Sequence, residues 1–231
     1  MIKPYYAMLL GVIASVALLP IQNAAANSFT FNLDTEFSGG QAPGGAPPWL
    51  SATFTDVSSG VVSLTLSASP PGGAGLTGTE NVDGWYFNVT PSFVGSLVFS
   101  PTTTTLPSGG SLLSILQGED AFKADGDGLY DILFNFGTGT GHGFGVGDTL
   151  TETISASGLV ASDFNLLSSP AGGHGPFLTA AHVQNTTGAG SGGSGWIAPT
   201  GATVPDVGST SMLLGVTLLG IEGLRRRFRI A

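Results

Sequence analysis

Three aspartates in "KADGDGLYDI", Asp125, Asp127 and Asp131, stand close enough along the chain to converge on one hard cation. Gly126 and Gly128 permit the tight turns that convergence needs. Calcium takes about six to eight oxygen ligands, and Glu119 or Asp120 would complete the shell. The spacing lacks the closing glutamate of an EF-hand loop, so the ion it suggests is a structural calcium. An acidic solvated turn leading into a strand at Ile132 accounts for the same letters.

The remaining reactive residue types are scattered. His142, His174 and His182 show neither H-x-x-x-H nor H-E-x-x-H spacing, and so form no recognisable metal set. Ser194 in "GGSGW" comes nearest to a nucleophile elbow, but Trp196 occupies the place of the second glycine. "GTGTGHGFGVG" fits no G-x-G-x-x-G register, which removes a dinucleotide site. No catalytic residue is assigned, and the chain reads as a non-enzyme. A carboxylate pair drawn from distant strands keeps a secreted hydrolase as one alternative. Trp49, Trp85 and Trp196 would stack on sugar rings if exposed, which makes a carbohydrate-binding module the other.

The elements that would position these residues are strands. "VVSLTLS" sets Val62, Leu64 and Leu66 on one side and Ser63, Thr65 and Ser67 on the other. The same period of two puts Phe29, Phe31 and Leu33 together in "SFTFNL", Trp85, Phe87 and Val89 in "GWYFNV", and Ile132, Phe134 and Phe136 in "DILFNF". "LTETIS", "SLVFS" and "FLTAAHVQ" repeat it more weakly. Gly- and Pro-rich turns such as "GGQAPGGAPP" and "SPPGGAG" separate these runs. "SLLSILQ" and "LVASDF" read as a helical turn or two each. The expected fold is all-β, an antiparallel β-sandwich or jelly roll.

Both ends read as addresses. Lys3, an apolar run from Ala7 to Leu19, and small residues before Asn27 predict a signal peptide over residues 1–26, cut by signal peptidase after Ala26. A body over 27–198 and a linker over 199–203 follow. The body carries thirteen acidic side chains against one basic residue, Lys123. That charge repels phosphate backbones and excludes nucleic acid as a partner. With no cysteine, the chain has no disulfides, no thiolate metal site and no cysteine nucleophile.

Residues 204–231 join a polar motif, "VPDVGST", to an apolar run, "LLGVTLLGIEGL", and a basic end with Arg225, Arg226, Arg227 and Arg229. From Val207 the run would make about 27 Å of helix, enough to cross a thin hydrocarbon core. The arginines then stay on the cytoplasmic side and the body lies outside. This layout resembles the PEP-CTERM class of bacterial sorting signals, in its VPDSG-CTERM variant, with Val204, Pro205, Asp206 and Gly208 as the sorting motif. The resemblance implies an exosortase as partner. The tail helix would hold the protein transiently in the inner membrane until that enzyme cuts near Pro205–Asp206 and passes the body to the cell surface or the extracellular polysaccharide matrix. Permanent anchoring by the same helix is the simpler alternative. The body also resembles other PEP-CTERM proteins in its "PPWLSATF", "WYFN" and "SGW" blocks, which implies fold and location only. A soluble sandwich of low charge density that presents loops gives a structural or adhesive role as the expectation.

Overall fold

A computed structural model describes residues 27–125 and 128–200. The signal peptide, the sorting motif, the transmembrane helix and the arginine cluster expected above lie outside the described residues. Among those residues, no helix is long and apolar enough to cross a membrane.

The described chain is all-β and its ladders are antiparallel. One sheet has five strands in the order β1 (Ser28–Leu33), β3 (Leu50–Ser58), β4 (Val61–Ser67), β10 (Thr149–Ser155) and β6 (Val98–Thr105). The other has eight. Its main path runs β11 (Ser169–Pro170), β8 (Gly128–Phe136), β5 (Asn81–Phe87), β12 (Thr179–Gln184), β13 (Ser194–Ala198) and β2 (Thr35–Glu36). β7 (Leu112–Ala124) joins it along β8, and β9 (Phe144–Gly145) along β5.

The period-two pattern decides which face each strand buries. Val62, Leu64 and Leu66 are buried on β4, as are Ile132, Phe134 and Phe136 on β8, and all six enter one core shared by both sheets. Aromatic rings bridge the two layers. Phe54 of the five-stranded sheet meets Phe87 of the other edge-on at 5.6 Å and stacks on Phe164 at 4.5 Å. A fully buried side chain of this size contributes about 1.5–3 kcal/mol by burial, and aromatic pairs about 0.5–1.5 kcal/mol more. At Asp34 the chain leaves β1 and enters β2, so one lateral side of the two layers is closed by a single strand bending between them, as in a half-barrel. The Asp34 N–H donates to Ala198 O at 3.1 Å and holds that corner.

"LVASDF" contains a short 3₁₀ turn at Ala161–Phe164, as its pattern suggested. "SLLSILQ" instead lies within β7, the longest strand. Its seven letters satisfy a helical and an extended period about equally. Pairing decides, since Ile115 opposes Phe134 and Leu116 opposes Leu133 on β8.

Loops in this cysteine-free, lysine-poor body are held by carboxylates. Asp34, Glu36, Asp56, Glu80, Asp131, Asp148 and Asp163 each accept at least one backbone N–H. Glu80, 1% exposed, gathers three separate loops. It accepts from Gly44 N at 2.7 Å, Thr77 N at 2.8 Å and Thr187 N at 3.0 Å, and from both threonine hydroxyls at 3.1 Å. Asp148 likewise ties Ser108 N at 3.0 Å to Gly145 N at 2.7 Å. Such charge-assisted bonds run about twice as strong as neutral ones, which suits acidic residues that lack basic partners. Gly143 shows why its loop is glycine-rich. A Cβ there would stand 2.3 Å from Asn81 Oδ1 and 2.6 Å from Val82 O.

Candidate functional site

The outward phase of the five-stranded sheet is mostly hydroxyl, with Val57, Val61 and Val98 grouped at one end of its strands. Strand registers align Thr30, Thr53, Thr65, Thr151 and Thr103 in one row across all five strands. A second row reads Ser28, Thr55, Ser63, Thr153 and Ser100. A third reads Asn32, Ser51, Ser67, Thr149 and Thr105. Rows repeat about 6.8 Å apart along the strands and their members about 4.8 Å apart across them. Several neighbours bond directly, Thr30 to Thr53 at 2.7 Å, Ser28 to Thr55 at 2.8 Å and Thr65 to Thr151 at 3.2 Å. Apart from buried Ser51, these hydroxyls are half-buried or exposed and retain further donor or acceptor capacity. None of these fifteen positions carries a charge, in a body otherwise rich in carboxylates.

The outward face of the eight-stranded sheet is aromatic and polar. The ladder jumps from the His182–Gly84 pair to the Val183–Val82 pair, leaving Asp83 as an extra bulged residue beside His182. His182 Nδ1 and Asp83 Oδ1 lie 2.8 Å apart, and Gln184 Nε2 donates to Asp83 Oδ2 at 2.5 Å. Trp196 opposes His182 across the next ladder, its ring 4.8 Å from the imidazole and 5.4 Å from Tyr86. Burial, with the Asp83 charge adding to it, pushes the Tyr86 hydroxyl up to about 12, so it stays protonated as a hydrogen-bond donor.

Of the tryptophans, only Trp196 is half-exposed; Trp85 and Trp49 lie in the core. Their indole N–H groups are satisfied there, Trp85 by Thr179 Oγ1 at 3.0 Å and Trp49 by Gly45 O at 2.6 Å. His142 and His174 sit exposed in loops.

Asp125, Asp127 and Asp131 fare differently from one another. Asp125 is exposed at the hairpin tip with φ +34°, and Asp127 lies outside the described residues. Asp131 is buried and turned to backbone, accepting Val89 N at 3.1 Å and Asp120 N at 2.9 Å. The structure thus brings Asp131 together with Glu119 and Asp120, around a cavity of about 130 Å³. Among the described residues, no three His, Asp or Glu side chains form a set able to hold a metal ion.

A family model described as the VPDSG-CTERM motif matches residues 203–228. The tail is a PEP-CTERM-type sorting signal. A signal of this type implies export and sorting to the cell surface by an exosortase. The match contains Val204, Pro205, Asp206 and Gly208, and Arg225, Arg226 and Arg227; Arg229 falls just beyond it. No curated protein and no solved structure matches the chain.

The hydroxyl rows are not apparent as a surface in the sequence. Their signal was present as Ser or Thr on the polar phase of "SATFTD", "VVSLTLS" and "TLTETIS". Only strand pairing brings those positions into register.

Proposed function

We propose that the body is a non-enzymatic adhesive module, a β-sandwich that holds neutral polysaccharide at the cell surface or in the extracellular matrix. The observation that carries this reading is the charge-free hydroxyl face of the five-stranded sheet. Serine and threonine hydroxyls both donate and accept, as sugar hydroxyls do, and threonine adds a methyl group for the apolar faces of the rings. A sheet of this kind twists by about 20° per strand, which suits a pliable polymer better than a flat crystal plane. The body's acidity fits the same partner, because a neutral glycan is not repelled by carboxylates as an anionic one would be. Exosortase processing of the VPDSG-CTERM tail would deliver the module to the matrix.

Cells expressing the full chain test this directly. The double variant Thr65→Lys/Thr151→Lys places two charges in the central row, on half-exposed positions where long side chains can reach water. The expected result is normal export and processing, with most of the protein moved from the matrix fraction to the medium. Unchanged retention refutes the proposal.

A second reading, a carbohydrate-binding module acting through its aromatic face, is favoured by half-exposed Trp196 against His182 and Tyr86. Loss of retention in Trp196→Ala, with the threonine variant unaffected, would move the contact to that face.

A further inference from the structure

Strand β10 contains a side chain in the wrong place for its charge. Leu150 and Ile154 face the common core, and Glu152 shares their phase, 2% exposed. Its Oε2 has no hydrogen-bond partner among the described residues. Burial pushes the Glu152 carboxyl above the usual carboxylate range. The other buried carboxylates, Glu80, Asp131 and Asp148, are surrounded by donors. Glu152 instead borders an opening lined mainly by hydrocarbon, with Thr104 and Ser111 as its other polar side chains.

The opening lies at the seam of the two sheets. β6 ends the five-stranded sheet and β7 edges the eight-stranded one, and these two strands form no ladder with each other. Between them is a cavity of about 410 Å³ whose lining includes Phe99, Leu106, Leu112, Ile115 and Leu150, with Glu152 as its charged group. Small-molecule sites start at about 300 Å³ and combine such an apolar wall with a few placed polar groups. An uncompensated buried carboxylate is costly, and a ligand that supplies its missing partner removes that cost.

We infer that this seam cavity binds a small amphipathic primary amine, its apolar body against Ile115 and Leu112 and its ammonium donating to Glu152. Charge selects the amine over neighbouring chemistries. A carboxylate ligand would set two acids against each other. A hydroxyl would give one neutral bond, where an ammonium gives a charge-assisted one about twice as strong. The acidic body also raises the local concentration of cations around the seam.

Isothermal titration of the full chain in non-ionic micelles, with micelles alone as blank, tests the inference with hexylammonium, hexanol and hexanoate. Hexylammonium is expected to bind saturably at one site, hexanol at least tenfold more weakly, and hexanoate not at all. Glu152→Gln should lower the hexylammonium affinity at least tenfold. Ile115→Trp, which fills the apolar end and leaves the carboxyl in place, should abolish binding, and it decides the matter if Glu152→Gln fails to fold. Equal binding of all three probes overturns the inference, as does hexylammonium affinity that survives Ile115→Trp.

Discussion

Glu80→Gln is the sharpest test of the idea that carboxylates take the place of disulfides and salt bridges in this body. Oε1 accepts Gly44 N, Thr187 N and the Thr187 hydroxyl, while Oε2 accepts Thr77 N and the Thr77 hydroxyl. Glutamine keeps the shape but turns one oxygen into a donor, so in either orientation at least one amide faces another N–H. The hydroxyls can rotate away; the amides cannot. A stranded buried amide costs about 1–3 kcal/mol, and the surviving bonds lose their charge assistance, for a total of about 3–5 kcal/mol. For a domain of this size each kcal/mol moves the melting temperature by about 2–4 °C, so a fall of roughly 6–20 °C is expected. Thermal melting by circular dichroism reads it, with exposed Glu119→Gln as a control expected to stay within about 0.5 kcal/mol. Limited proteolysis should also show new cuts near Gly44 and Thr187. If Glu80→Gln melts within about 2 °C of the parent, the clamp reasoning is wrong.

Glu152 makes the opposite prediction with pH. Its folded carboxyl titrates above the unfolded one, so its contribution is most favourable at acidic pH and is lost as pH rises through the raised value. Glu152→Gln should therefore be more stable than the parent at pH 8, with the gap closing toward pH 4, measured by urea denaturation. Phe54→Ala, which removes a ring shared by both sheets, should cost about 3–5 kcal/mol in the same assay. Asp131 is already engaged by two backbone amides, so millimolar calcium is expected to leave the melting temperature unchanged; a rise that Asp120→Asn abolishes would instead place an ion in the Glu119–Asp120–Asp131 cavity. Replacing Arg225, Arg226, Arg227 and Arg229 by glutamine should leave unprocessed precursor in cells, read by intact-mass measurement of the C-terminus, whereas normal trimming would free sorting from the basic end.

Much of the fold was legible because burial in a two-layer β structure has a period of two. The alternation at Val62, Leu64 and Leu66 and at Ile132, Phe134 and Phe136 is the core itself written along the chain. "SLLSILQ" misled because a run that short does not separate periods, and its strand state depends on β8 lying alongside. "LTETIS" alternates weakly because Glu152 occupies an apolar phase, and that irregularity marks the seam cavity. The aspartates of "KADGDGLYDI" share a stretch of sequence but not a destination. Asp131 turns inward to backbone amides that sequence proximity does not predict.

By itself, the sequence determined the all-β class, the acidic character and the sorting signal, since each is carried by local composition, short-range periodicity or a contiguous motif. Tertiary structure decided the rest. The threonine rows depend on register between five strands, and the Asp83–His182–Trp196 group on a bulge set against two neighbouring strands. The isolation of Glu152 depends on which sheet edges fail to meet. Those features are relations between distant segments, and no single segment encodes them.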